Sequence, residues 1–183
     1  MTATTYELPR GRYSSTPVDG DCFRSVVTFT RTANTTAYTA GDVVGINAAG
    51  SPGSAIHEFE KVGTSGGFIL IQSALLLVGL TSVPVGMSGF RLHLYTSSPT
   101  AILDNAAFDL VSGERSAYLG FLELPTPTDL GSTLFSRVDY SGQLIKLADG
   151  STSMFAELET RGGYTPASAT PYEVRLLTNQ YGL

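Results

Sequence analysis

Two histidines, His57 and His93, are the natural candidates for proton transfer or metal ligation in this chain, and no His stands near either in sequence. A jelly-roll metal site of the cupin kind needs a His-x-His pair with a Glu and a further His, and that spacing is missing. Carboxylates alone would suit harder cations. The pattern therefore predicts no metal site and no cofactor. Glu58 and Glu60, and again Glu157 and Glu159, stand two residues apart, which puts each pair on one face of a strand. Paired carboxylates hydrolyse glycosidic bonds when they flank a cleft. Strand alternation produces the same spacing on any solvated face, so neither pair is expected to be catalytic, and His57 beside Glu58 reads the same way.

Nucleophile motifs fare no better. Gly86-Met87-Ser88-Gly89 matches a nucleophile elbow only in part, and the Val-Pro-Val run before it reads as a turn. Only two lysines, Lys61 and Lys146, are present, and the glycines lie scattered at turns rather than clustered into a phosphate cradle. The lone cysteine, Cys22, excludes an internal disulfide and is expected to be a small buried hydrophobe. The chain is accordingly not expected to be an enzyme.

The elements around these residues read as strands divided by turn chemistry. Strands are expected over 22–32, 42–47, 56–62, 67–81, 90–97, 118–124, 132–140, 143–147, 152–160 and 172–178. Phe90, Leu92 and Leu94 share one strand face, with Arg91, His93 and Tyr95 on the other. Asp149-Gly150 is a hairpin dipeptide, and Pro125-Thr-Pro127 a breaker. Only 102–110 offers a helical turn, with Asp104 or Asn105 to cap it. Without βαβ spacing, the class is all-β: an antiparallel β sandwich or jelly roll spanning 22–183, behind an extended N-terminal arm of residues 1–21. Alternation nominates Phe29, Phe59, Ile69, Ile71, Leu92, Leu94, Phe121, Phe155, Val174 and Leu176 for its core.

Composition agrees. The 183 residues suit one domain, large enough to fold without a metal or disulfide. Charged residues are 15% of the chain, against roughly 25% in an average globular protein. Their place is taken by 22 Thr and 19 Ser, with 20 Gly and 9 Pro. Eleven basic against 16 acidic residues, net −5, argue against nucleic acid or an anionic membrane as partner. The first twenty residues hold no apolar core of a secretory signal. The longest apolar run, 68–80, falls short of the roughly 20 residues a spanning helix needs, so no membrane association is expected.

The arm has no periodicity of its own, yet it carries Tyr6, Leu8, Pro9, Arg10, Arg12 and Tyr13 close together. Aromatic and Arg side chains are the types enriched at interface centres, and these six residues are expected to form a protein–protein contact.

Thr30 to Gly45 (TRTANTTAYTAGDVVG) resembles a recurring segment of small tailed-bacteriophage virion structural proteins of the jelly-roll head decoration (cement) type. Phe90-Arg-Leu-His-Leu-Tyr95, Asp104-Asn-Ala-Ala-Phe108, Tyr118-Leu-Gly120, Tyr164-Thr-Pro-Ala-Ser168 and Tyr172-Glu-Val-Arg-Leu176 are similar to the same group. The resemblance runs over roughly 22–178 and leaves out the arm. It implies a structural virion protein on the outer capsid surface, bound to the major capsid protein or other virion proteins, and a homo-oligomer, trimer rather than dimer. A tail, baseplate or receptor-binding part on a similar fold is the alternative.

Overall fold

A computed structural model describes residues 22–46, 55–139 and 143–181. Eleven strands lie in these segments. They are β1 (Cys22–Thr30), β2 (Val43–Val44), β3 (Ile56–Phe59), β4 (Phe68–Val78), β5 (Phe90–Tyr95), β6 (Tyr118–Leu124), β7 (Thr128–Asp129), β8 (Leu134–Asp139), β9 (Leu144–Lys146), β10 (Met154–Thr160) and β11 (Pro171–Tyr181). A single 3₁₀ turn at Ser112–Glu114 is the helical element among them.

The strands form two antiparallel sheets. The first has the order β1-β11-β4-β8-β7, with β9 also on β4; the second has β2-β10-β5-β6, with β3 also on β10. Ile56 faces Glu157 and Val44 faces Leu158, so β2 and β3 lie end to end along β10 and act as one interrupted strand. With that pair counted once and the short β7 and β9 set aside, eight principal strands remain. The first pairs with the eighth, the second with the seventh, the third with the sixth and the fourth with the fifth. Pairing the chain's two halves in this nested way and splitting the pairs between two sheets is the jelly roll.

The core lies between the sheets. Ile69, Ile71, Leu76, Val174 and Leu176 from the first meet Phe59, Phe90, Leu92, Leu94, Leu122 and Leu158 from the second, all essentially buried. Phe29 stacks on Tyr172 at 5.0 Å between ring centroids, closing the core beside β1. Eight of the ten expected core residues are buried. The two failures have one cause. On β6 and β10 the inward positions are Leu122 and Leu124, and Met154, Ala156 and Leu158, so Phe121 is exposed and Phe155 half-buried on the opposite face. Alternation fixes which residues share a face but not which face is covered.

Other expectations are corrected as well. Cys22 is exposed, at the start of β1. Residues 102–110 form turns and one bridge, Asp42 with Ala107, rather than a helical turn. Asp104 does not cap a helix, because its Oδ1 accepts from the Gly45 N–H at 3.1 Å and from the Tyr38 hydroxyl. Asn105 sits at φ +65, a left-handed conformation that breaks a helix. β7 follows the Pro125-Thr-Pro127 breaker and was not expected, since two residues carry no period. No described helix is long and apolar enough to cross a membrane.

Candidate functional site

The outer face of the second sheet is not the solvated face its sequence suggests. Arg91, His93 and Tyr95 on β5 lie beside Glu157 and Glu159 on β10, and the segment after β5 crosses over them. Phe108 stacks on the His93 ring at 3.7 Å, and its N–H donates to Gly41 O. The backbone of Ile102 donates to Glu157. His93, Tyr95, Glu157 and Glu159 are thereby all buried.

This layer is ordered by its hydrogen bonds. His93 Nε2 lies 2.6 Å from Glu159 Oε2, and Nδ1 lies 3.0 Å from the Tyr118 hydroxyl. Burial holds the His93 pKa below its ordinary value, against the pull of Glu159. A neutral ring next to a carboxylate must donate through Nε2 and accept through Nδ1, so Tyr118 donates to His93 and His93 donates to Glu159. The charge of Glu159 is balanced by Arg161 at 3.3 Å and Arg91 at 4.0 Å, and both arginines also reach Glu123. Glu157 has less help. It accepts from the Tyr95 hydroxyl at 3.1 Å, but its Oε1 is buried without a partner, and burial pushes its pKa up to about 7.

A hydroxyl, an imidazole and a carboxylate in line resemble a catalytic relay in outline only. Phe108 covers the ring, and neither of the two surface hollows described below is lined by these residues. His57 is further from any chemistry. It faces the core from β3, stacks on Phe29 at 4.4 Å, and burial lowers its pKa to about 4. The expectation that His57 beside Glu58 rides on a solvated face is therefore wrong. Among the described residues, no group of three or more His, Cys, Asp or Glu is placed to hold a metal ion.

Arg31, directly after β1, is buried. Its guanidinium donates to the Tyr38 hydroxyl, to Asn34 O at 2.6 Å and Oδ1 at 2.8 Å, and pairs with Asp104 at 3.3 Å. The cluster pins the 31–38 segment to the 104–108 segment and is structural.

The first sheet's outer face is different in kind. Register aligns Thr28, Glu173, Leu77 and Phe135 in one row and Val26, Arg175, Leu75 and Arg137 in the next, with Leu70 beside Leu144 further along. Val26 is 41% exposed, Leu144 48% and Tyr181 49%; Leu70, Leu75, Leu77, Phe135 and Leu177 are half-buried. Its charges include the neighbouring pairs Glu173 with Arg175 and Arg137 with Asp139, and Arg24 and Lys146 towards its margins. Two open hollows border this sheet. One, about 540 Å³, is lined by Phe29, Ile46, Leu77 and Tyr172 among others. The second, about 470 Å³, lies between β1 and the end of β3, lined by Arg24, Ser25, Val26, Val27, Glu58, Glu60 and Lys61.

The chain matches no protein-family model and no curated protein. Three of the solved structures it is similar to come from viruses. Against the "Israeli acute paralysis virus heated to 63 degree - full particle", the identity is 11% over 99% of this chain and 84% of that one, with a TM-score of 0.30. Against the "Native virion of Kashmir bee virus at neutral pH", it is 11% over 98% and 82%, also at 0.30. Against the "nora virus structure", it is 12% over 86% and 59%, at 0.24. Superpositions at these scores do not establish a shared fold; the jelly roll here rests on the chain's own strand order.

The candidate interface residues Tyr6, Leu8, Pro9, Arg10, Arg12 and Tyr13 lie outside the described residues. Sequence reading passed over the outer face of the first sheet. Its signal was present in Leu75-Leu76-Leu77, three consecutive leucines of which a single-faced strand can bury only alternate ones.

Proposed function

We propose that this chain is a structural virion protein, a head decoration (cement) protein of a tailed bacteriophage that binds and stabilises the shell through protein–protein contacts. The observation that carries this reading is the outer face of the first sheet. An isolated jelly roll gains nothing from displaying aliphatic and aromatic side chains across several strands, and such a patch, rimmed by polar residues, marks an interaction surface. Its partner is the major capsid protein or another virion protein. The arm supplies the second contact, with Tyr6, Leu8 and Tyr13 as apolar anchors and Arg10 and Arg12 as donors to carboxylates or carbonyls. Pro9 and Pro17 pre-set their φ angles, which lowers the ordering entropy lost on attachment.

The chain's acidic balance fits the outside of a shell better than a surface packed against nucleic acid. Fold alone would not choose this function, because jelly rolls also serve lectins and cupins. The resemblance and the apolar sheet face support this function together, and the resemblance favours trimers.

Gold labelling of intact particles with an antibody to residues 22–181 tests the assignment. Label over the outer surface of the heads is expected. Label on the tail or baseplate, or none on the particle, overturns it.

A further inference from the structure

We infer that the free edge of β1, together with the hollow between β1 and the end of β3, receives the N-terminal arm of a second copy of this chain as an added strand. This deepens the reading of the arm as an intermolecular contact and rests on it.

Among the described residues, β1 is the last strand of its sheet, paired with β11 alone. It is nine residues long, rich in Val, Phe and Thr, and free of proline, which is the description of an edge that invites another strand. Its inward residues Phe23 and Val27 stay half-buried rather than buried, so the sandwich is open along this lip. The hollow beside it holds Glu58 and Glu60, both exposed and neither in an ion pair among the described residues; Arg24 and Lys61 complete its charged lining.

The arm matches this site in spacing and sign. Arg10 and Arg12 stand two residues apart, as Glu58 and Glu60 do, so an extended segment presents both guanidiniums on one side at the carboxylates' own spacing. Glu7 supplies the opposite charge for Arg24 or Lys61. Leu8 is the apolar residue for the half-open lip.

Length fits the block to this edge, and the reading of the arm as an intermolecular contact assigns it to a second copy. The block from Tyr6 to Tyr13 is eight residues, which fits along the nine of β1. An arm reversed tightly through Asp19-Gly20 onto its own β1 would set Arg12 opposite Val27, but would carry Leu8 and Tyr6 past Thr30, beyond the strand. A wider loop over 14–21 would lay the block on the chain's own β1, and the mixing experiment below separates that arrangement from an arm supplied by another copy.

Charge reversal on the full-length chain, with association followed by sedimentation, tests the inference without any particle, so its failure is separable from failure of head binding. The wild type is expected to self-associate. R10E/R12E alone and E58K/E60K alone should each weaken association about tenfold or more, with unchanged circular dichroism and thermal transition. Mixing the two variants should restore it, since each arm then meets a groove of opposite charge. A wild type that stays monomeric overturns the inference, as does either variant associating like the wild type. Variants that lose thermal stability and do not recover on mixing point to an arm folded onto its own chain, and equally overturn it.

Discussion

Glu159 Oε2 sits 2.6 Å from His93 Nε2 beneath the ring of Phe108, a buried pair whose charge is met from the rim by Arg91 and Arg161. Removing the imidazole leaves a buried carboxylate without its nearest donor. H93A is expected to lose about 2–3 kcal/mol of stability in urea titration, the range for taking the donor from a charged acceptor. E159Q keeps an acceptor for His93 and should lose less. Equal losses would mean that the pair does not act as a unit.

Glu157 and His57 make opposite contributions to pH dependence. The Glu157 pKa is raised to about 7 in the fold, so the folded state holds its proton more tightly; the stability this gives is present below the ordinary carboxylate value and is lost as pH rises to about 7. The His57 pKa is lowered to about 4, so its contribution is present above about 6.5 and is lost as pH falls toward 4. The two slopes oppose each other between about pH 4.5 and 6.5. E157Q removes one of them. Its thermal midpoint should rise steeply from pH 4 to 6.5 and exceed that of the wild type at pH 8. A pH profile parallel to the wild type would contradict the placement of Glu157.

Arg31 is the largest buried polar side chain, and its guanidinium joins Tyr38, Asn34 and Asp104. R31M fills much of the volume but strips Asp104 of its cation. A loss of about 3–5 kcal/mol is expected from chemical denaturation.

Gly86 and Gly162 pack backbone to backbone. A Cβ on Gly86, which sits at φ +91, would fall 2.0 Å from Gly163 O, and one on Gly162 would fall 2.0 Å from Gly86 O. G86A and G162A should each lower the thermal midpoint by several degrees or prevent folding, whereas Gly113, with nothing within 4 Å, should accept Ala with little change. Gly86-Met87-Ser88-Gly89 is thus a turn held by close approach, as its glycines and the preceding Pro84 suggested.

What the sequence made legible follows from what period-2 alternation can encode. Phe90, Leu92 and Leu94 were placed correctly because only one face of β5 is apolar. Phe121 and Phe155 were misplaced because both faces of β6 and β10 carry large side chains, and the covering segment after β5 hides polar ones. Glu157 and Glu159 looked like a solvated pair for the same reason: nothing local announces that Phe108 and Ile102 lie above them. Arg31 was equally silent, since its partners are set by tertiary contact at Asp104.

The central claim is that the chain cements a head through its arm and its exposed sheet face. Cryo-electron microscopy of particles carrying either the full chain or a chain lacking residues 2–20 tests it most directly, with V26K/L144K as the probe of the sheet face. The full chain should give ordered density over the outer head. The truncated chain should keep its thermal transition as an isolated monomer yet leave the head bare, and V26K/L144K should reduce occupancy. Full occupancy by the truncated chain would show that the arm makes no contact with the head, and undiminished decoration by both variants would contradict the account.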